Sequence, residues 1–169
     1  AVALAREGFD IVVNGRSNRE ACDAVAKDVG ALGRKALVVM ADVGRSEEVA
    51  AVKAKVEAEM PPVAIVVNNA AIRPQKPFLE MSDDDWHRVM DTDLNSAFYL
   101  CRAFCGAMVD GGWGRVVNLT GMNAIHGYAG RAPVSAAKHG LWGLTKALAK
   151  EFGLQGVTVN AISPGPIDT

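Results

Sequence analysis

The sequence predicts a doubly wound α/β domain, a parallel sheet with helices on both faces. Three observations predict it. Short β-branched runs alternate with stretches of helical periodicity along the whole chain. Those runs are apolar throughout rather than alternating, as in strands buried on both sides. The 169 residues, half of them apolar, suffice for one packed domain, and no repeat, low-complexity segment or linker divides residues 1–169.

The elements follow in order. Ala1 to Glu7 reads as the end of a helix stopped at Gly8, and Asp10 to Asn14 as a buried strand before Gly15. Glu20 to Val29 fits a helix ending near Gly30, and Lys35 to Met40 a second strand. Ser46 caps a helix from Glu47 to Met60, with acids in its first turn at the positive end of the dipole. Pro61-Pro62 ends it, and Val63 to Val67 is a third strand. After a loop at Arg73 to Lys76, Ser82 caps a long helix, Asp83 to Met108, on which Trp86, Val89, Met90, Leu94, Phe98, Cys101, Phe104, Cys105 and Met108 recur at helical spacing. Gly111-Gly112 ends it. Arg115 to Leu119 is a fourth strand, Thr120 to Arg131 a Gly-rich loop, Pro133 to Phe152 a second long helix, and Val157 to Ile162 a fifth strand before a turn-rich tail.

A net charge of −1, with basic residues scattered among acids, argues against a nucleic-acid or anionic-membrane surface. No apolar run reaches the ~18 residues of a membrane span. Nothing at the start reads as a signal peptide, and the opening at Ala1 without methionine suggests a start part-way into a longer protein. Cys22, Cys101 and Cys105 form no disulfide framework, so a reducing cytoplasm is expected. Cys101 and Cys105 stand one helical turn apart, as two metal ligands could, but no further Cys/His cluster completes a site. The expectation is therefore no metal and two buried thiols.

Ligands of doubly wound folds sit beyond the carboxyl ends of the strands. Those ends read Asn14-Gly15-Arg16-Ser17, Ala41-Asp42-Val43, Asn68-Asn69-Ala70-Ala71, Asn118-Leu119-Thr120-Gly121 and Asn160 to Pro166. Singly they are ordinary turns. Together, small residues and amides at every strand end allow a flat ligand close to the backbone.

The order NGRS, ADV, NNAA, GRVVNL with SAAKHGLWGLTKALAKE, and VNAISPGPIDT resembles the short-chain dehydrogenase/reductase family over essentially the whole chain, in particular its 3-oxoacyl-acyl-carrier-protein reductase-like members. The resemblance implies a Rossmann-like fold lacking the family's first strand and Gly-rich phosphate turn. It implies an NAD(P)-dependent oxidoreductase for a small-molecule carbonyl or alcohol, with no nucleic-acid or membrane partner. Cofactor contacts fall on Arg16, Asp42, Val43, Asn69, Ala70, Ala71, Lys138, Pro164, Gly165, Ile167 and Thr169. Gly15 stands where NAD-binding relatives carry an acid for the ribose hydroxyls, and Arg16 can pair with a 2′-phosphate, so NADP is favoured over NAD. The alternative for Arg16 is a solvated surface charge.

The family transfers a proton through a tyrosine assisted by a lysine four residues later, a serine thirteen residues earlier and an asparagine in the preceding long helix. Lys138 keeps the lysine; the tyrosine position is Val134, the serine position Gly121 and the asparagine position Asp93. Asn95 lies on a different helix face, and Thr120 points away if its strand continues. Tyr128 and His126 are the remaining proton carriers of the loop. Two readings result: an NADP-dependent oxidoreductase of doubtful activity, or a non-catalytic descendant serving cofactor sensing or assembly. The family's pairing of its long helices implies a homodimer or homotetramer through Asp83–Met108 and Pro133–Phe152, with Phe98, Tyr99, Phe104 and Met108 in need of cover. Without a strand between them, Asp10–Asn14 and Val63–Val67 either expose unpaired edges, leaving the chain poorly stable, or close up and pair directly.

Overall fold

The computed structural model describes residues 1–165, so Ile167 and Thr169 lie outside the described residues. The chain forms two compact units, Ala1–Val43 with Glu47–Pro62, and Gly44–Ser46 with Val63–Thr169.

The first unit holds α1 (Val2–Arg6), β1 (Ile11–Gly15), α2 (Arg19–Ala31), β2 (Ala36–Met40) and nearly all of α3 (Ser46–Glu59). β1 and β2 run parallel, with Ile11 opposite Ala36 and Gly15 opposite Met40. Asn18 starts α2 by accepting from the Ala21 amide at 2.9 Å, which satisfies one of the donors a helix start leaves open. Ala5, Ile11 and Val29 form its core with Leu4, Phe9, Val13 and Ala36 around them. A Cβ at Gly15 would strike the Cys22 sulfur, so only glycine lets the end of β1 lie this close to α2.

The second unit holds β3 (Ile65–Asn68), α4 (Asp83–Met90), α5 (Ser96–Asp110), β4 (Gly114–Leu119), α6 (Asn123–His126), α7 (Ala132–Phe152) and β5 (Val157–Ile162). Its sheet is parallel in the order β3-β4-β5. Ser82 and Asp85 form a reciprocal capping box at the start of α4. Val116, Val157, Met108 and Leu141 are fully buried between sheet and helices.

Parallel pairing and flanking helices agree with the expected fold class, and three details correct the sequence reading. The long helix from Asp83 is not a single α-helix: a π turn, Asp91–Asn95, separates α4 from α5. Its cause is local. The Thr92 and Ser96 hydroxyls donate to the carbonyls of Arg88 (3.0 Å) and Thr92 (2.6 Å), competing with the backbone ladder. Of the two arrangements expected for Asp10–Asn14 and Val63–Val67, they do not pair directly: the strands form a pair and a triplet, and among the described residues β1 pairs only with β2 and β3 only with β4. The expected Gly-rich loop contains α6. Finally, Phe104 and Met108 are already covered within the chain, whereas Phe98 stays exposed.

Candidate functional site

In the first unit the strand ends bring Arg16 and Asp42 together. The Asn14 amide donates to the carbonyls of Val39 and Ala41, both at 3.3 Å, and locks the end of β1 to the end of β2. Arg16 then lies 3.9 Å from the Asp42 carboxylate, with 56% and 31% of the two side chains exposed. The Asp42 amide donates to Glu48 at 2.6 Å, which anchors the turn into α3. Val43 is buried beneath it.

In the second unit Lys138 is the centre. It sits on α7, and its ammonium donates to the Leu119 carbonyl at 3.0 Å. Asp93, projecting from the π turn, places Oδ2 3.6 Å from the same ammonium, and the two side chains are 6% and 0% exposed. The other oxygen, Oδ1, accepts from the Ile72 amide at 2.8 Å. Burial raises the carboxyl of Asp93 above its ordinary range and lowers the ammonium of Lys138, and each group's attraction for the other opposes the shift. Asn95 turns elsewhere and donates to Asp91 at 2.8 Å.

Gly121 follows β4 with φ +75°, in the left-handed region, and a Cβ there would lie 4.0 Å from the Pro164 carbonyl. Val134 is fully buried with Val89 and Ala137, among Ile72, Met90 and Leu94. Asn69, Ala70 and Ala71 are exposed just beyond β3, and Gly165 is exposed near the end of the described residues. Thr120 turns to β5, its hydroxyl donating to the Ile162 carbonyl at 3.2 Å. Tyr128 is exposed, and Lys138 is engaged by Leu119 and Asp93 instead. Neither the valine at 134 nor the glycine at 121 has a side chain that can donate a proton or polarise a carbonyl.

Sequence reasoning missed a buried relay beneath these groups. The Asn68 amide donates to Asn118 at 2.7 Å, that of Asn118 donates to the Thr145 hydroxyl at 2.8 Å, and this hydroxyl donates to the Leu141 carbonyl at 2.7 Å. Asn68 and Asn118 are paired across β3 and β4. The signal was an asparagine closing the apolar run of each strand. The Asn68 amide also lies 3.7 Å from the Cys101 sulfur. Cys105, then burial, holds the Cys101 thiol well above its ordinary range.

A family model described as short chain dehydrogenase matches residues 1–169. Nodulation protein G of Azospirillum brasilense is 42% identical over 99% of this chain and 68% of its own length. A 3-oxoacyl-acyl-carrier-protein reductase of Pseudomonas aeruginosa is 36% identical over 100% of this chain and 68% of its own. The crystal structure of a gluconate 5-dehydrogenase from Burkholderia cenocepacia, in complex with NADP and tartrate, superposes with a TM-score of 0.87 at 27% identity, covering 100% of this chain and 68% of that one. The strand-end residues read from the sequence therefore sit on a shared framework, and the chain belongs to the short-chain dehydrogenase family.

Proposed function

We propose that the chain is an NADP-binding member of this family, acting on a small carbonyl or alcohol, with very low activity of its own. The observation that carries the reading is the second unit's unequal retention: Lys138 stays in place at the end of β4, while the positions that handle the proton hold Val134 and Gly121. The fit to the cofactor rests on Arg16. Its guanidinium is more than half exposed and stands beyond hydrogen-bond distance of Asp42, so it can turn onto a phosphate, and Gly15 carries no side chain to repel one. The further cofactor contacts that the family resemblance gives are Asp42 and Val43 in the first unit and Asn69, Ala70, Ala71, Lys138, Pro164 and Gly165 in the second. When bound, the cofactor would exchange a hydride with the substrate, the reduced form giving it to a carbonyl or the oxidised form taking it from an alcohol; this chain's residues would hold and orient the cofactor. The named carbonyl chemistry of the Pseudomonas reductase and the NADP of the Burkholderia dehydrogenase support the assignment of class and cofactor.

Fluorescence titration tests this. NADP is expected to bind more tightly than NAD, and Arg16→Ala to weaken NADP by about 1–3 kcal/mol, the worth of a charge-assisted contact. Equal affinities for the two cofactors, or no effect of Arg16→Ala, would reject it.

The second reading, a non-catalytic member serving sensing or assembly, is favoured by the same two substitutions. Assembly has a physical surface. Arg102 stacks on the rings of Phe98 and Tyr99 at 4.9 and 5.8 Å along α5, and Lys146 lies 5.0 Å from the Trp142 ring on α7. Phe98 and Trp142 remain exposed. We assign these faces to self-association as a homodimer or homotetramer. Light scattering is the check, and a monomer at working concentration would reject the assignment. Among the described residues no helix is long and apolar enough to cross a membrane. The unpaired cysteines suit a reducing cytoplasm, and we take residues 1–169 as belonging to a single nucleotide-binding domain.

A further inference from the structure

We propose that Asp93 is a positioning residue for Lys138: its carboxylate neutralises the buried ammonium, seats it on the Leu119 carbonyl and ties both to the loop at Ile72. The clause about Lys138 as a cofactor-site lysine rests on the function proposed above; the pairing itself does not.

An asparagine at position 93 would keep only part of what Asp93 does. An amide oxygen at position 93 would accept from the Ile72 backbone as well as Oδ1 does at 2.8 Å. Only a carboxylate adds charge. That charge faces an ammonium with 6% of its side chain exposed, which among the described residues donates to the Leu119 carbonyl alone. An ammonium so dry needs a counterion or gives up its proton. Asp93 Oδ2 is buried, accepts no hydrogen bond and stands 3.6 Å from that nitrogen, so it is the counterion.

The charges acting on the pair come from three elements. Lys138 belongs to α7 and Asp93 to the π turn, and Arg73, in the loop after β3, favours the charged carboxylate and opposes the ammonium. β4 contributes the neutral carbonyl of Leu119. Asp93 therefore joins three segments: the loop after β3 through Ile72, the end of β4 through Lys138, and α7.

The pairing has a consequence for chemistry. Val134 lies one helical turn before Lys138 on α7, so a phenol placed there would share a face with the ammonium. A lone ammonium would favour the phenolate, but one already matched by a carboxylate exerts little net field. The valine at 134 and the aspartate at 93 then belong together: with no phenol to activate, the lysine's charge is turned inward and used to hold the site closed.

Carbon-13 NMR of the unmodified protein across pH tests the pair, reading the Asp93 carboxyl carbon and Lys138 Cε. The Lys138 signal is expected to inflect at the pH where Asp93 titrates. In Asp93→Asn the Lys138 ammonium is expected to hold its proton at least about tenfold less tightly. A Lys138 signal indifferent to the titration of Asp93 would overturn the proposal, whether or not the variant folds. As a second readout, tyrosinate absorbance compares Val134→Tyr with Val134→Tyr/Asp93→Asn. The added phenol is expected to ionise about tenfold more readily in the double variant, and equal behaviour would also overturn the proposal. NADP titration of Lys138→Met separates the two ideas: unchanged affinity there sinks the cofactor role of Lys138 and leaves the ion pair standing.

Discussion

Each unit carries an ion pair at its strand ends, and the two differ in burial far more than in length. Arg16 and Asp42 are 3.9 Å apart with 56% and 31% of their side chains exposed; Lys138 and Asp93 are 3.6 Å apart with 6% and 0% exposed. At such a separation two unit charges attract by only about 1 kcal/mol in water, and salt weakens this further. In a dry site the attraction is larger, but so is the cost of stripping water from both ions, and the outcome depends on neither being left alone. The exposed pair is therefore exchangeable, able to release its cation to an incoming anion. The buried pair is committed, and its removal disturbs three segments of the second unit. An ion pair's distance thus says little about its role until the solvent around it is known.

The largest effect expected from this contrast is on stability. Lys138→Met should cost about 3–5 kcal/mol in urea unfolding at neutral pH, because it strands the buried Asp93 carboxylate. The double variant Lys138→Met/Asp93→Asn should recover a substantial part of that loss. A Lys138→Met variant costing less than about 1 kcal/mol would break the comparison at its buried end.

Next comes restoration of the family residues. Gly121→Ser with Val134→Tyr should raise carbonyl reductase activity measurably from a very low base, but at a cost. Tyrosine overpacks a fully buried site, at about 1–3 kcal/mol, and serine must take up the φ of +75°, at about 1–2 kcal/mol. Activity assays should be read beside unfolding curves, and no gain in a folded, NADP-binding double variant would count against the inherited geometry. High activity without these substitutions would show another group supplying the proton.

Smaller still is Arg16→Ala, whose effect on stability should stay within about 0.5 kcal/mol while NADP binding falls. A large loss of stability would show that the exposed pair is structural after all.

Acid titration gives the finest distinction. Lys76, then the Ser82 amide, holds the Asp85 carboxyl well below its ordinary range, so its stabilisation is present above that range and is lost as pH falls. Asp93 has the opposite sign: its raised carboxyl makes the native state hold a proton more readily than the unfolded one, so stability falls as pH rises through its midpoint. Circular dichroism should show a flatter acid loss for Asp85→Asn and a steeper one for Asp93→Asn.

Much of the fold was legible because its punctuation is local. Gly8, Pro61-Pro62 and Gly111-Gly112 end elements, and five apolar runs between such marks are the five strands. What escaped depends on partners distant in sequence or on side-chain competition. The π turn hides in the polar run Asp91–Asn95, where apolar spacing gives no phase to follow, and its cause is two hydroxyls bonding carbonyls. At the candidate site, Lys138 and positions 93, 121 and 134 were proposed by counting along motifs, and the variants above test that reading. That Asp93 grips Lys138 was not legible, since the meeting needs the π turn to aim one and α7 to bury the other. Of the four side chains read as needing cover, Phe98 stays exposed, whereas Phe104 and Met108 are covered within the chain, because apolar spacing does not say which stripe meets the protein's own sheet.

The π turn also behaves like a cam on a shaft. An α-helix advances about 100° per residue, so one residue more or fewer within a turn rotates everything beyond it by that angle. Upstream of Asp91–Asn95 the shaft is held by its capping box at Ser82; downstream it carries Phe98, Tyr99 and Arg102 outward, and between them it presents Asp93 to Lys138. The inner charge and the outer aromatic stripe are consequently timed to each other by one local irregularity. Deleting a single residue there would retime both together, so one local change adjusts the buried charge and the aromatic stripe in one step.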